Sequence, residues 1–235
     1  MSTPYRVPIN IQISRALLRP LFRALFYILG KVRIYGIENI PAEGAYLIAV
    51  NHISLFEPPL VLAFWPVAPE AVGAADVWER FGQSTLARLY GGIPVYRGQY
   101  DRRVIEAMLA VLHSGYPLLI APEGGRSHTL GLRRALPGVA YLMDKAGVPV
   151  VPVGVVGSTE DFLKRALRFE RPVLEMRIGL PIQLSSIKAK GRVRRELRQK
   201  NADKVMTHIA ALLPMEYRGY YANHVGKTEK RALST

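Results

Sequence analysis

Ala45-Tyr46-Leu47-Ile48-Ala49-Val50 runs without a break into Asn51-His52-Ile53-Ser54-Leu55-Phe56-Glu57-Pro58. The first six residues read as a strand, and the polar turn after them puts a histidine and a carboxylate where that strand ends. Five positions along a regular helix rotate a side chain by about 500°, leaving the two roughly 140° apart, so contact between His52 and Glu57 needs an irregular turn. Ser54 offers one, because a serine followed three residues later by glutamate is a capping-box signature and predicts a helix starting near Leu55. His52 then lies on a loop at a strand's carboxyl end, where open α/β sheets place their chemistry. An imidazole held by a carboxylate through one nitrogen can take a hydroxyl proton with the other, a contribution of roughly 10² to 10⁴ in rate. Spacing alone also fits a glutamate that only caps the helix beside a loop histidine.

Outward from this stretch the chain alternates between strand and helix patterns. Strands are predicted at Val32–Tyr35, Ala71–Ala75, Pro117–Ala121 and Val173–Ile178, with a β-branched run from Val148 to Ser158. Helices are predicted from Leu55 to about Trp65, over Val77–Leu89, from Asp101 to about Ser114, over Gly138–Ala146, and through Leu197, Val205, Ile209 and Leu213. Such alternation gives an α/β fold: a mixed, mostly parallel sheet flanked by helices.

The chain has 235 residues, 49% of them hydrophobic and 21% charged, enough for a substantial core. It has no cysteine, which excludes disulfides, thiolate metal sites and a cysteine nucleophile, and its five histidines lack metal-ligand spacing, so no metal is expected. The net charge of +14 is uneven: residues 1–34 and 188–204 each carry a net +6, while 35–187 balance. Basic appendages on a neutral core meet polyanions, either nucleic acid or an anionic membrane surface. Residues 188–204 contain no Phe, Tyr or Trp to stack on bases, so no nucleic acid is expected.

Ile9 to Gly30 reads as a helix with Arg15, Arg19 and Arg23 at steps of four between leucines and phenylalanines. Three arginines within the apolar run oppose a bilayer span or a cleavable leader and suit an in-plane interfacial helix. Each cation near an anionic leaflet is worth about 1 kcal/mol. Residues 1–30 are therefore assigned as a membrane-associating amphipathic helix, 31–225 as one α/β domain, and 226–235 as a flexible tail.

Two further loops carry candidate chemistry. Gly91-Gly92-Ile93-Pro94-Val95-Tyr96-Arg97-Gly98 displays Arg97 where the chain can turn tightly, able to meet a phosphate or simply to close a strand. Pro122-Glu123-Gly124-Gly125-Arg126-Ser127 follows a strand, with glycine N–H groups able to hold an oxyanion, a guanidinium fork and a carboxylate.

Four segments in order, spanning roughly residues 46–158, resemble the blocks of the glycerophospholipid acyltransferases of the 1-acylglycerol-3-phosphate acyltransferase type. Asn51, His52, Ser54, Glu57 and Pro58 match Asn-His-x-Ser-x-x-Asp-Pro; Gly92 to Arg97 match the glycine-led run ending in Arg. Ala121 to Ser127 match Phe-Pro-Glu-Gly-Thr-Arg-Ser, and Val148 to Gly154 the Val-Pro-rich strand. Glu57 stands where the family usually has Asp, Ala121 where it has Phe, and Gly125 where it has Thr. The resemblance implies that His52, oriented by Glu57, deprotonates a lipid hydroxyl that attacks the thioester of acyl-CoA or acyl-carrier protein. It implies no other cofactor and no acyl-enzyme. Gly124 and Gly125 would hold the oxyanion, Arg97 and Arg126 the acceptor's phosphate, and Glu123 its glycerol portion. The expected acceptor is the lysophospholipid 1-acyl-sn-glycerol-3-phosphate, giving phosphatidic acid. A glycolipid or other lysolipid is the alternative within the enzyme class, and a non-enzymatic basic membrane-surface or nucleic-acid-binding protein the alternative outside it. The expected location is the cytoplasmic face of a membrane, as a peripheral or monotopic protein.

Overall fold

The computed structural model describes residues 4–99, 101–127, 129–184 and 186–225, so the tail from Gly226 lies outside the described residues. Its strands are β1 (Lys31–Tyr35), β2 (Leu47–Val50), β3 (Glu70–Ala74), β4 (Ile93–Val95), β5 (Leu118–Ile120), β6 (Val150–Val156) and β7 (Val173–Ile178). They form a single sheet in the order β1-β7-β6-β2-β5-β3-β4. The five strands from β6 to β4 run parallel; β7 is antiparallel to β6, and β1 follows β7. The mixed, mostly parallel α/β sheet is the one expected from the sequence.

The helices are α1 (Ile9–Leu29), α2 (Glu57–Phe64), α3 (Gln83–Tyr90), α4 (Arg102–His113), α5 (Gly138–Ala146), α6 (Phe162–Leu167) and α7 (Gly191–Leu212). Central strand β2 is buried on both faces, which is why its sequence is apolar at every position. Leu47 and Ala49 pack with Val111 and Leu112 of α4, Leu142 of α5 and Ile209 of α7. Ile48 and Val50 pack with Phe26 of α1 and Leu60, Val61 and Phe64 of α2. The chain therefore leaves β2 through α2 on one face and leaves the adjacent β5 through α5 on the other. That reversal opens a crevice at the strand ends, the switch point at which ligands bind in open α/β sheets.

Local signals set most boundaries. Asp101 caps α4 through hydrogen bonds from the amides of Arg103 and Val104 at 2.8 and 3.3 Å. The helix expected over 77–89 is broken instead: a 3-10 turn covers Ala75–Glu79, and α3 begins only after Gly82, whose φ is +74°. Helix α2 starts at Glu57, two residues later than the capping box suggested.

The N-terminal helix has the expected length but the opposite orientation. Its arginines point into the protein rather than toward a membrane. Buried Arg15 grips the fully buried Glu70 with both terminal nitrogens, at 2.5 and 2.7 Å, and donates Nε to the Tyr90 carbonyl at 2.8 Å. Tyr5 donates its hydroxyl to the same carboxylate at 2.8 Å. Arg19 donates to the carbonyls of Leu62, at 3.0 Å, and Trp65, and Arg23 to that of Ala63 at 2.6 Å. These are carbonyls of the last turn of α2, which no residue of that helix can satisfy and whose partial negative charge favours cations. The outer face of α1 is consequently apolar, with Ile13, Leu17, Leu21 and Ile28 between 57% and 72% exposed. Among the described residues no helix is long and apolar enough to cross a membrane.

Because Arg15 compensates a carboxylate with no access to water, Arg15→Ala should lower unfolding free energy by about 3–5 kcal/mol. Urea denaturation of both proteins would measure this; a loss below about 1 kcal/mol would show that Glu70 has another source of compensation.

Candidate active site

The turn after β2 brings His52 and Glu57 together. His52 Nδ1 lies 3.0 Å from Glu57 Oε2, with the carboxylate fully buried and the histidine side chain 15% exposed. Since the carboxylate accepts, Nδ1 carries the proton and Nε2 presents its lone pair. The turn is irregular, as the spacing required. The Ser54 amide donates to both Glu57 oxygens at 3.0 Å, and the Ser54 hydroxyl donates to Oε1 at 3.0 Å while accepting from the Phe56 amide at 3.0 Å. Only half of the capping box forms: the glutamate reaches back to the serine amide, but the serine hydroxyl serves the turn. Glu57 opens α2, where the helix dipole favours an anion.

A further donor comes from 101 residues away: the Ser158 hydroxyl, itself fully buried, donates to Glu57 Oε1 at 2.5 Å. Ser158 was not singled out from the sequence. Its only signal is position, just past the Val-Pro-rich strand that ends at the same edge of the sheet. Asn51 fixes that edge. Its side chain donates to the Val155 carbonyl at 3.0 Å and accepts from the Val155 amide at 2.7 Å, extending the pairing of β2 with β6 by one side-chain rung.

The loop after β5 closes on the same turn. The Ser127 amide donates to the His52 carbonyl at 2.8 Å, and the His52 amide donates to Glu123 Oε1 at 2.9 Å. Glu123 Oε2 accepts from the Arg133 amide at 2.8 Å, and the residue is only 2% exposed. Glu123 thus clamps the backbone of His52 through one oxygen and that of Arg133 through the other. Burial pushes its carboxyl up to about 7, against the two amide hydrogen bonds that favour the anion.

Gly124 turns the loop at φ +68°, and its amide donates to the Ala121 carbonyl at 3.0 Å. That amide is committed to the turn. A Cβ on Gly124 would lie 2.3 Å from Leu136 Cδ1, the end of an exposed side chain that can shift, so the positive φ is what favours glycine here. At buried Gly125 a Cβ would lie 3.4 Å from Arg97 Cζ; the guanidinium of the second loop rests over the third. Arg97 is exposed and Arg126 half-buried, one residue beyond that contact. The structure therefore gathers His52, Glu57, Glu123, Gly124, Gly125, Arg97 and Arg126 at one end of the sheet. Next to them is a cleft of about 190 Å³ lined by Ile53, Ser127, Thr129, Leu130, Thr159 and Glu160.

The raised Glu123 value has a stability consequence. Between its ordinary value near 4.5 and about 7 the native protein holds a proton that the unfolded chain has released, so stability falls as pH rises through this window. Glu123→Gln, which carries no charge, should flatten that part of the profile. Thermal melts of both proteins across the window test this, and equal slopes would refute it.

The family model described as Acyltransferase matches residues 31–156. A lyso-ornithine lipid O-acyltransferase of Pseudomonas aeruginosa is 32% identical over 149 residues, 63% of this chain and 55% of that protein, so the chain spans about half the length of this curated relative. The crystal structure of the 1-acyl-sn-glycerophosphate (LPA) acyltransferase PlsC from Thermotoga maritima shares the fold, with a TM-score of 0.59 over 81% of this chain and 79% of that one at 21% identity. The matched residues hold β1 to β6 with the His52, Arg97 and Glu123 loops between them, and by that match the chain belongs to the Acyltransferase family.

Proposed function

We propose that the chain transfers a fatty acyl group from a thioester donor, acyl-CoA or acyl-carrier protein, to the free hydroxyl of a lysolipid at a membrane surface. The observation that carries this reading is the His52–Glu57 contact of 3.0 Å at the switch point of the sheet. His52 Nε2 takes the acceptor's hydroxyl proton as its oxygen attacks the thioester carbonyl. Glu57 stabilises the imidazolium through Nδ1. The tetrahedral oxyanion collapses with loss of the donor's thiolate, which receives the proton from Nε2. Backbone N–H groups of the third loop other than that of Gly124 are the candidates to hold the oxyanion.

Arg97 and Arg126 offer guanidinium groups for an anionic headgroup, which favours 1-acyl-sn-glycerol-3-phosphate as acceptor and phosphatidic acid as product. A lysolipid with an amino-acid headgroup is the second reading. The relative named for lyso-ornithine lipid supports it, as does Glu160 in the cleft, a carboxylate suited to an ammonium. On either reading the protein works peripherally on an anionic membrane surface at its cytoplasmic face.

Release of free thiol from acyl-CoA or acyl-carrier protein by the purified protein, with each acceptor in turn, tests the reading. Acceptor-dependent release is expected, and His52→Ala should reduce it by at least about 10² while leaving the protein folded. Near-normal turnover in that variant would reject the mechanism, and the preferred acceptor decides between the two headgroups.

Ser158→Ala should lower kcat roughly 10- to 100-fold with KM unchanged, the worth of one hydrogen bond to a charged group. Glu57→Asp should keep much of the turnover and Glu57→Gln lose most of it. The shorter Asp side chain draws back from Ser158, so adding Ser158→Ala to Glu57→Asp should cost little more. An equal cost in both backgrounds would remove Ser158 from the positioning of the carboxylate.

A further inference from the structure

We propose that α6 and the loop after it form a wedge that inserts into an anionic lipid bilayer beside the mouth of the site. Helix α6 and residues 168–171 pack little of their outer surface: Leu167 is 66% exposed and Phe169 91%. The backbone there is strained toward display. Phe169 and Arg171 are the only non-glycine residues with positive φ among the described residues, at +61° and +48°. A bulky aromatic side chain in the left-handed region, turned fully to water, is unfavourable twice over in the isolated protein. A lipid phase removes the second cost and gives the first a purpose.

The charges around the wedge fit one partner. Phe162–Arg171 contains Lys164, Arg165, Arg168 and Arg171 against the single acid Glu170. Glu170 is engaged by Arg165 at 2.9 Å, and exposed Lys164 and Arg168 flank the apolar tip. Aromatic and leucine side chains ringed by cations suit a bilayer interface with anionic headgroups. The apolar surface also continues onto α1, because Arg171 donates to the Tyr27 carbonyl at 3.0 Å beside exposed Ile28.

The wedge is tied directly to the catalytic turn. Phe162, fully buried at the start of α6, meets Phe56 edge to face with ring centroids 4.9 Å apart, and Phe56 immediately precedes Glu57. Ser158, four residues before Phe162, holds the Glu57 carboxylate. Insertion of Phe169 would therefore set the height of His52 above the lipid from which the acceptor comes. The proposal takes its purpose from the reading of the site as a lipid acyltransferase, but its test does not depend on that reading.

Flotation of the full chain with phosphatidylcholine vesicles, with and without phosphatidylglycerol, reads the contact. Wild type should float with the anionic vesicles, and Phe169→Gly should partition at least about tenfold more weakly. The same variant relieves the positive φ, so its thermal midpoint should be unchanged or higher, which separates lost contact from lost fold. In Phe169→Trp, the new indole should be quenched by lipids brominated along the acyl chain beyond the wild-type background from Trp65 and Trp78. Undiminished flotation of Phe169→Gly, absence of that added quenching, or failure of wild type to float with any vesicle would overturn the wedge. Acyl transfer to a detergent-dispersed acceptor should be unaffected by Phe169→Gly. If wild type transfers nothing there yet the vesicle results hold, the functional reading fails and the wedge stands.

Discussion

A carboxylate with no access to water governs this structure's active end. Taking Glu57 out of solvent costs several kcal/mol unless its oxygens are satisfied, and the chain spends four separate donors on it. One is the His52 imidazole; two are the amide and hydroxyl of Ser54; the last is Ser158, from beyond β6. The N-terminus of α2 adds its dipole. The donors come from the turn after β2 and from beyond β6, so solvation of one anion aligns the ends of β2 and β6 and the first turn of α2. The imidazole is oriented as a consequence, because both serine hydroxyls go to Oε1, while Oε2 faces Nδ1 and takes only the Ser54 amide besides.

The same logic, with a different outcome, holds the opposite end of the sheet. Glu70 is as buried as Glu57, but its partner is a permanently charged guanidinium in bidentate geometry rather than a titratable ring. That guanidinium keeps its charge, so the pair serves as a clamp for α1. Glu123 is a third solution: two backbone amides and no cation, leaving its carboxyl pushed up to about 7. Three buried carboxylates, told apart by what satisfies them, become an orienting group, a helix anchor and a loop clamp.

The sheet was legible because buried parallel strands need apolar, β-branched runs, and Leu47–Val50 and Val150–Val156 have little other use. The His52–Glu57 contact was legible from spacing plus Ser54, since few turns bring those two together. The direction of the arginine stripe was not. Periodicity defines the faces of α1 without saying which face meets the protein, and here the polar face turns inward because the last carbonyls of α2 lack partners, a need visible only once the two helices are side by side. Ser158 was hidden for a related reason: its contact joins residues 101 apart, and no local pattern marks it. The six-residue α6 is too short for a periodic signal.

Gly125 shows how a departure from the family pattern is absorbed. Glycine in place of the usual threonine leaves room in the third loop, and the Arg97 guanidinium from the second loop fills it. A Cβ at 125 would sit 3.4 Å from that group, at ordinary contact, but any atom beyond Cβ directed at it would have to displace it. The size of the residue at 125 therefore sets how far a cation from β4 can reach over the loop after β5. The position of that charge is thus controlled by backbone room as much as by the arginine itself. Two chains with the same arginine and a different residue at this position would present that charge at different distances from His52.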